Sequence, residues 1–441
     1  MNQYQAMIIG FGKAGKTLAA TLAKAGWKVA MIEQSASMYG GTCINIGCIP
    51  TKTLVHDAHR QHDFTAAMTR KSAVVNFLRE KNYANLATLE NVDVFDGKAE
   101  FIDSTTVRVT RQDDVITLQG EKIFINTGAE SVFPDIDGLT TTPGVYDSIG
   151  LLNLATKPER LGILGGGYIG VEFASMFANF GSNVTIYEAA PLFLPREDRD
   201  VADAIEALLR DAGVELILNA RVQAVSSQAG SVVLHTPEGE QRVDALLVAS
   251  GRRPASGQLQ LRNAGVDVGS RGGIIVNKRL RTSAENIWAM GDVTGGLQFT
   301  YISLDDFRIV RDSLLGDGLR TTDDRQNVPY TVFMTPPLSR VGLTEEQARA
   351  SGANIRVATL HVAAIPRARV IDETGGVLKA VVDADSQRIL GVSLLCPDSH
   401  EMINIVKTAM DAGLPYTVLR DQIFTHPTMS ESLNDLFALI K

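Results

Sequence analysis

Short apolar runs alternate with amphipathic stretches along the chain, and this alternation occurs twice in the same form. In the first copy, the apolar residues 6–9 lead into glycines and then into a helical pattern that ends at Ala25. In the second copy, residues 161–164 lead into glycines and a helical pattern that ends at Phe180. Strand-length apolar runs that alternate with helices are typical of parallel sheets with crossover helices. The pattern therefore predicts an α/β protein with two doubly wound sheets.

Both copies carry the pattern G-x-G-x-x-G after the apolar run, and an acidic residue follows 23 residues after the first glycine. The first glycine of such a loop makes a tight turn, the second lets the backbone approach a pyrophosphate, and the third lets helix and strand pack closely. The acid accepts hydrogen bonds from ribose hydroxyls. The repeat therefore predicts two Rossmann-like folds that bind two dinucleotides. Their residues are Gly10, Gly12, Gly15 and Glu33 in the first fold and Gly165, Gly167, Gly170 and Glu188 in the second.

Two cysteines, Cys43 and Cys48, lie five residues apart directly after the first fold. Pro50 and the helical pattern that follows it place Cys48 near a helix N-terminus, where the thiolate is favoured. A bridge that closes so short a loop is expected to be strained and easily reduced, as catalytic disulfides are. A zinc half-site is the alternative, but the sequence has no second Cys or His pair with ligand spacing. The pair is therefore interpreted as a redox-active dithiol.

The position of the cysteines indicates which fold holds which cofactor. The first fold runs directly into the cysteine pair, so its ligand is expected to be FAD, and the second fold is then expected to bind the nicotinamide cofactor. Glu188 is placed to bind a ribose 2′-hydroxyl, and a 2′-phosphate would meet its carboxylate. Ala189 and Ala190 offer no positive charge to offset that repulsion, although Arg196 lies close in the sequence. NADH is therefore predicted to be preferred over NADPH.

Further segments of the chain, taken in order, resemble the signatures of the class I pyridine nucleotide-disulfide oxidoreductases. That family includes glutathione reductase, lipoamide dehydrogenase and mercuric reductase, and the resemblance covers essentially the whole chain. The segments are residues 40–52, 127–128, 251–254, 282–292, 341–345 and 424–427 with Glu431. The resemblance implies an FAD domain at residues 1–150 and 275–325, a nicotinamide domain at 151–274, and a C-terminal α+β dimerisation domain at 326–441.

The resemblance also implies roles for individual side chains. Cys43 would be the interchange thiol that meets the electron acceptor, and Cys48 would be the charge-transfer thiol that faces the flavin. Lys52 and Glu172 would pair near the flavin, and Tyr168 would gate the nicotinamide pocket. The remaining cofactor residues that it implies are Thr42, Thr127, Gly128 and Asp292 for FAD and Gly251 for the nicotinamide cofactor.

A homodimer is implied as well, because His426 would act on Cys43 of the other subunit. In the family pattern His426 is the acid–base for the interchange thiol, and Glu431 orients its ring. This agrees with general chemistry, since a nucleophilic thiol needs a nearby base and the base needs an orienting group. Histidine changes charge near neutral pH and suits that task.

The electron acceptor is predicted to be a thiophilic metal ion, with Cu(II) or Hg(II) as leading candidates. A reduced Cys43–Cys48 pair is a soft ligand set that favours such ions. The chain is acidic, and residues 55–59 offer imidazoles rather than the cationic entrance that a glutathione-type substrate would need. Within the family, the chain most resembles a flavoprotein associated with bacterial resistance to reactive chlorine species, which implies a role in stress defence. A small disulfide related to glutathione or lipoamide is the alternative acceptor.

Composition excludes several other classes of protein. The net charge of −8 and the pI of about 5.5 argue against a nucleic-acid binder. The sequence has no run of about 18 uncharged apolar residues and no secretory signal, so no membrane span is predicted and the cytoplasm is expected.

A ferredoxin reductase or a protein like apoptosis-inducing factor would use the same folds without a disulfide. A flavoprotein redox sensor without turnover is a further alternative.

Several other features are interpreted as structural. His56, His59 and His62 recur every three residues and predict a solvated helix face, with a metal site as the alternative. Cys396 is expected to be a small buried filler in the dimerisation domain. The alternating charges at residues 196–203 are expected to form a solvated surface. Residues 299–303 depart from the family pattern beside the flavin, so tuning of the flavin is expected to differ.

Overall fold

The computed structural model describes residues 2–111 and 114–441. Its strands, in chain order, are β1 (Asn2–Ile9), β2 (Val29–Glu33), β3 (Val92–Asp96), β4 (Lys98–Phe101), β5 (Thr106–Thr110), β6 (Val115–Ile125), β7 (Ala129–Ser131), β8 (Val145–Tyr146), β9 (Arg160–Leu164), β10 (Asn183–Tyr187), β11 (Glu215–Ile217), β12 (Ala224–Gln228), β13 (Ser231–Thr236), β14 (Gly239–Val243), β15 (Ala245–Val248), β16 (Arg252–Pro254), β17 (Ile287–Ala289), β18 (Tyr330–Val332), β19 (Leu338–Gly342), β20 (Ile355–His361), β21 (Val377–Asp383) and β22 (Ile389–Leu395). Its helices are α1 (Lys13–Lys24), α2 (Thr42–Asn45), α3 (Cys48–His59), α4 (Phe64–Ala87), α5 (Ser148–Leu151), α6 (Tyr168–Asn179), α7 (Arg199–Asp211), α8 (Thr300–Leu315), α9 (Glu345–Ala350), α10 (Pro366–Val370), α11 (Ser399–Asp411), α12 (Tyr416–Asp421) and α13 (Ser432–Ala438).

The first sheet has the strand order β3-β2-β1-β6-β5-β4, and β17 joins it by pairing with β6. The strands β3, β2, β1, β6 and β17 run parallel, with α1 crossing from β1 to β2. All residues of β2 are buried, which is typical of a parallel strand covered on both faces. This sheet places the first glycine loop at the carboxyl end of β1, where doubly wound sheets bind their ligands.

The second sheet has the parallel order β11-β10-β9-β15-β8, and β12, β13 and β14 form an antiparallel layer beside it. Helix α6 connects β9 to β10, as α1 connects β1 to β2, so the repeat seen in the sequence is also a repeat in the fold. Strand β8 belongs to this sheet, although it precedes the predicted domain boundary at residue 150.

The chain returns to the first domain earlier than the predicted boundary at residue 274. Strand β16 pairs with β7, and the apolar side chains of Leu259, Leu261 and Val266 pack in the core of the first sheet. The Phe101 amide also donates to the Leu259 carbonyl at 2.9 Å. Packing of scattered apolar residues against a distant sheet cannot be read from local periodicity, which accounts for the difference.

The C-terminal domain is an antiparallel sheet of order β18-β19-β22-β21-β20 covered by α11, α12 and α13. Cys396 is fully buried in its core, with Sγ 3.9 Å from Sδ of Met402, as expected for a small filler. The predicted fold class is thus confirmed. In the part of the chain that the structure describes, no helix is both long and apolar enough to cross a membrane.

Candidate active site

A cleft of about 1970 Å³ brings together residues from the first glycine loop, the cysteine pair and α6. Typical pockets for small ligands measure about 300–1,000 Å³, so this cleft has room for an extended dinucleotide and a second ligand. The predicted site residues that line it are Gly10, Gly12, Glu33, Thr42, Cys43, Cys48, Lys52, Thr127, Gly128, Tyr168, Glu172 and Asp292.

The first glycine loop is packed so closely that side chains cannot replace its hydrogens. A Cβ on Gly10 would lie 2.4 Å from the Asn126 carbonyl oxygen, and one on Gly12 would lie 2.4 Å from Asn126 Oδ1. Asn126 Oδ1 accepts a hydrogen bond from the Gly15 amide at 2.9 Å, and its Nδ2 donates to the Met290 carbonyl at 2.6 Å. The loop therefore presents bare backbone at the start of α1, and these residues fit the pyrophosphate of a dinucleotide.

The second glycine loop has the same construction at the start of α6. Gly165 has a φ of +110°, and a Cβ on Gly170 would lie 2.1 Å from the Gly165 carbonyl oxygen. Gly167 precedes the helix without a side-chain cap, so the amides of the first turn face outward. Gly165, Gly167 and Gly170 are not among the described residues that line the cleft, so their contact with the nicotinamide cofactor stays a prediction.

The two predicted ribose-binding acids occupy equivalent positions. The Phe11 amide donates to Glu33 Oε2 at 2.9 Å, and the Gly166 amide donates to Glu188 Oε2 at 2.6 Å. Each acid thus binds the residue that follows the first glycine of its own loop. Burial raises the pKa of Glu33, and the backbone hydrogen bonds oppose that shift.

The other predicted FAD residues lie around the same cleft. Thr42 begins α2, Thr127 and Gly128 follow β6, and burial raises the pKa of Asp292. Gly251 has a φ of +121° before β16 and lies outside the described cleft lining, so its contact with the nicotinamide cofactor stays a prediction.

The cysteine pair is held by two consecutive helices. Cys43 lies in α2, and Cys48 is the first residue of α3 after Gly47, which confirms its predicted place at a helix N-terminus. Both thiols are free, and Cys48 Sγ lies 3.5 Å from the hydroxyl oxygen of Thr300 at the start of α8.

The surroundings of the two thiols shift their pKa values in opposite directions. The hydrogen bond from Cys43, together with the Thr300 hydroxyl and the Lys52 charge, lowers the pKa of Cys48 from 9.0 to about 6, although burial opposes the shift. The same thiol–thiol hydrogen bond, helped by burial, raises the pKa of Cys43. The pair therefore holds one thiolate at Cys48 and one proton at Cys43 near neutral pH.

Lys52 and Glu172 form an ion pair between α3 and α6. The Lys52 ammonium lies 3.0 and 2.8 Å from the two carboxylate oxygens, and it also lies 4.8 Å from the ring centroid of Phe333. The Phe333 amide donates to Glu172 at 2.8 Å. The cysteine helix, the nicotinamide domain and the dimerisation domain therefore meet at this pair.

His426 and Glu431 are paired with each other but do not reach the cleft of their own subunit. His426 Nδ1 lies 3.1 and 2.8 Å from the Glu431 carboxylate oxygens, and the imidazole is 70% exposed. Among the described residues, neither of the two lines the cleft. The nearby Ile423 is fully exposed.

The expected solvated surface at residues 196–203 is only partly present, and this prediction needs correction. Glu197 and Asp198 are buried because the dimerisation domain packs against them. Glu197 accepts hydrogen bonds from Tyr168 and Tyr330, so it connects to the predicted nicotinamide gate. The alternating charges gave no sign that a distant domain covers them.

Asn126 and Thr300 were also missed by sequence reasoning. Asn126 is a polar residue at the carboxyl end of the buried strand β6, and that position could have signalled a role at the ligand-binding edge. Thr300 lies in the segment that departs from the family pattern, but its contact with Cys48 depends on long-range folding.

The three histidines His56, His59 and His62, of which the first two lie in α3, are exposed and do not line the cleft. His59 Nε2 lies 3.1 Å from Glu373, and His62 Nδ1 lies 3.4 Å from Asp57. Over residues 2–111 and 114–441, no group of three or more His, Cys, Asp or Glu side chains is arranged to hold a metal ion. These imidazoles therefore face solvent rather than an acceptor entering the cleft.

Comparison with known proteins agrees with this geometry over nearly the whole chain. The chain is 70% identical to the probable pyridine nucleotide-disulfide oxidoreductase RclA of Escherichia coli strain K12, and the match covers 100% of both chains. It is 35% identical to a mercuric reductase of Lysinibacillus sphaericus, covering 98% of this chain and 82% of that protein. A solved Cu(II) complex of the HOCl-induced flavoprotein disulfide reductase RclA from Escherichia coli has a TM-score of 0.99 at 70% identity, with 100% of each chain covered.

Family models agree with these relatives. The pyridine nucleotide-disulphide oxidoreductase model matches residues 4–306, and the dimerisation-domain model of the same family matches residues 328–437. The chain therefore belongs to the pyridine nucleotide-disulphide oxidoreductases, a family of FAD-dependent enzymes that use NAD(P)H, and it carries the domain through which they form dimers.

Proposed function

We propose that this enzyme passes electrons from NADH, by way of FAD, to Cys43 and Cys48 and from there to a thiophilic metal ion, Cu(II) or Hg(II). The observation that carries the proposal is the asymmetric dithiol, in which the hydrogen bond from Cys43, the Thr300 hydroxyl and the Lys52 charge lower the pKa of Cys48 below its ordinary value. Such a pair offers a thiolate near neutral pH, and thiolates are soft ligands that select soft ions.

In this proposal each group of residues around the cleft has a separate role, which follows from its position. FAD held by the first glycine loop and Glu33 would supply the two-electron carrier between the nicotinamide and the cysteine pair. The bare amides of the glycine loops bind the pyrophosphates, and Glu33 and Glu188 orient the riboses. Lys52 and the Thr300 hydroxyl hold negative charge on Cys48, while Cys43 keeps its proton until it meets the acceptor.

The electron count fits either metal. Oxidation of the Cys43 thiol and the Cys48 thiolate to the Cys43–Cys48 disulfide releases one proton and two electrons. Two Cu(II) ions would accept the electrons to give two Cu(I), or one Hg(II) would accept both to give Hg(0). The metal is a substrate in this scheme, held transiently by Cys43 and Cys48.

Two relatives support the metal as acceptor. RclA has been solved as a Cu(II) complex, and another relative is a mercuric reductase. RclA is also described as HOCl-induced. We place this enzyme in the same setting, the defence against reactive chlorine and oxidative stress.

Proton transfer at Cys43 is assigned to His426 of the partner subunit in a homodimer. The support is the orientation of the ring: Glu431 holds Nδ1, which leaves Nε2 of the exposed imidazole available for proton transfer. A carboxylate that fixes one ring nitrogen prepares the other for acid–base work.

A small anionic disulfide is the second candidate acceptor, and one observation favours it. Residues 55–59 are not part of the described cleft lining. Their imidazoles therefore give no support to a metal ion over a glutathione-type substrate. Several cationic side chains do line that cleft, among them Arg271, Arg308 and Lys407, of which Arg308 lies 3.8 Å from Asp305 and Lys407 pairs with Asp411. Such cations would suit the carboxylates of a glutathione-type substrate.

The deciding experiment measures kcat/KM for Cu(II), Hg(II), glutathione disulfide and lipoamide in one buffer with saturating NADH. The metal proposal expects at least one metal to exceed both disulfides. A disulfide that exceeds both metals by more than about tenfold, roughly 1.4 kcal/mol of transition-state preference, would contradict it. Cys43→Ser should abolish turnover of the true acceptor, whereas Cys396→Ser, far from the cleft, is the control.

A further inference from the structure

The hydroxyl of Tyr168 is directed into the protein rather than into the cleft. It donates to Glu197 Oε1 at 2.5 Å, and the Tyr330 hydroxyl donates to the same oxygen. The Glu197 side chain has no exposed surface, and Arg340 Nη1 lies 3.3 Å from its other oxygen. The carboxylate is thus buried between the nicotinamide domain and the dimerisation domain, with charge and hydrogen bonds both satisfied.

The rings in this region form a ladder along the cleft wall. The centroids of Tyr168 and Tyr330 are 5.5 Å apart, and those of Tyr330 and Phe299 are 6.4 Å apart with an interplanar angle of 7°. Phe299 in turn stacks on Tyr301 at 5.0 Å. All four rings line the cleft, so Tyr168 is part of its wall.

Glu197 cannot readily follow the ring if Tyr168 moves. Arg340 Nη1 donates to the Arg196 carbonyl at 2.7 Å, and Lys379 lies 3.6 and 3.0 Å from Asp198 and Asp200. Two cations of the dimerisation domain therefore fix the backbone and side chains of this segment.

We infer that Glu197, held by Tyr330 and Arg340, is a positioning residue that keeps the Tyr168 ring against the cleft wall and so keeps the nicotinamide position accessible. The inference rests on the proposed function, in which Tyr168 gates that position. Burial and the neighbouring Glu197 charge raise the pKa of Tyr168 to about 12, so the phenol remains a donor throughout the neutral range.

Loss of the hydroxyl of either Tyr168 or Tyr330 should let the Tyr168 ring move away from the cleft wall. The ring would then compete with the nicotinamide for its position in the cleft. The apparent dissociation constant of a ligand rises as the fraction of protein in the binding-competent conformation falls. We therefore expect Tyr168→Phe and Tyr330→Phe to weaken nicotinamide binding while leaving the chemistry of the bound complex intact. Both substitutions keep the ring and remove one oxygen, so the fold should be retained.

The experiment uses the oxidised holoenzyme and measures the dissociation constant of NAD+ by titration calorimetry, alongside steady-state kinetics with NADH. The expected result is a rise of about threefold or more in the NAD+ dissociation constant and in KM for NADH, with kcat and KM for the acceptor changed less than about twofold. Tyr4→Phe is the matched control, because it removes another phenol–carboxylate hydrogen bond, to Asp93 at 2.8 Å. Unchanged or tighter NAD+ binding in both test variants would overturn the inference.

Tyr168→Ala separates this inference from the proposed function. If removal of the whole ring leaves NAD+ binding unchanged, Tyr168 is not the gate and that part of the proposed function is wrong. If Tyr168→Ala alters NAD+ binding but Tyr168→Phe and Tyr330→Phe do not, the assignment of Tyr168 as the gate is retained. Only the role inferred for Glu197 is then wrong.

Discussion

The Lys52 ammonium binds both carboxylate oxygens of Glu172, at 3.0 and 2.8 Å, across the junction of two domains. Lys52 belongs to the cysteine helix α3 and Glu172 to α6, and the two charges act on Cys48 in opposite directions: Lys52 lowers its pKa and Glu172 raises it. The nicotinamide domain thus contributes directly to the electrostatics of a thiol that belongs to the FAD domain.

Alkylation of reduced enzyme should report the acidity of Cys48. Because its pKa is lowered from 9.0 to about 6, its rate of reaction with iodoacetamide should rise as pH passes through about 6. Lys52→Met should move this midpoint upward and Glu172→Gln should move it downward. Peptide mass spectrometry at a series of pH values identifies the modified cysteine, with buried Cys396 as the internal control.

The same shift makes the stability of the reduced protein depend on pH. A pKa that folding lowers contributes stability that is complete above the unfolded pKa of about 9 and is lost as pH falls through about 6. Urea unfolding of the reduced enzyme should therefore show a free energy of unfolding that increases between pH 6 and 9 because of Cys48. Cys48→Ala should remove that increase. An identical slope in the variant would contradict the assignment.

His426→Ala should slow the reaction of the thiols with the acceptor by about 10²–10⁴-fold, the usual range for acid–base catalysis. Reduction of the enzyme by NADH should be nearly unaffected, since the proposal assigns His426 to proton transfer at Cys43 and not to the nicotinamide position. Stopped-flow measurement of each half-reaction tests this. Equal losses in both half-reactions would mean a structural role.

A mixed dimer tests whether His426 acts in trans. Co-expression of a His426→Ala subunit with a Cys43→Ser subunit would pair the intact Cys43 of one with the intact His426 of the other. Activity with the acceptor should then appear in the purified mixed dimer, although each homodimer is impaired. A mixed dimer as inactive as the parents would place His426 in cis or outside the site.

Cofactor preference should depend on the charge of Glu188. The wild-type enzyme should show a kcat/KM for NADH more than about tenfold above that for NADPH, since about 1.4 kcal/mol of repulsion suffices for this ratio. Glu188→Gln keeps an acceptor oxygen for the Gly166 amide and removes the charge, so it should narrow the ratio. A wild-type preference for NADPH would overturn this assignment.

Asn126→Ala should destabilise the first domain and weaken retention of FAD. The substitution leaves the Gly15 amide and the Met290 carbonyl without their partner, at a cost of about 1–3 kcal/mol for each buried group. Urea unfolding and flavin content after dialysis measure the two effects. Asn91→Ala is the matched control, because the Asn91 side chain also bridges two backbone groups, the carbonyls of Ala23 and Trp27, but lies away from the glycine loop.

The features that the sequence predicted well depend on short-range patterns. The glycine loops, the acids at Glu33 and Glu188, and the helix that begins at Cys48 each follow from residues close together in the chain. Their geometry is set by local sterics and by the period of strands and helices, which a sequence displays directly.

The features that escaped prediction depend on contacts between distant segments. Alternating charges at residues 196–203 have the pattern of a solvated surface, and only the packing of Arg340 and Lys379 from another domain turns Glu197 into a buried acceptor. Likewise, the end of the nicotinamide domain was placed too late because Leu259 and Leu261 find their partners in the first sheet. No local period encodes such pairings.

The insertion of β17 beside β6 has a consequence for the order of events on the ribosome. The strands of the nicotinamide sheet lie in one continuous stretch of chain, so that unit can fold as soon as it emerges. The first sheet lacks β17 until residue 289 is made, and the Ser303 hydroxyl that accepts from the Ala14 amide arrives later still. A nascent chain is therefore expected to complete its nicotinamide fold first and to acquire a competent flavin site only after Ser303 has been made.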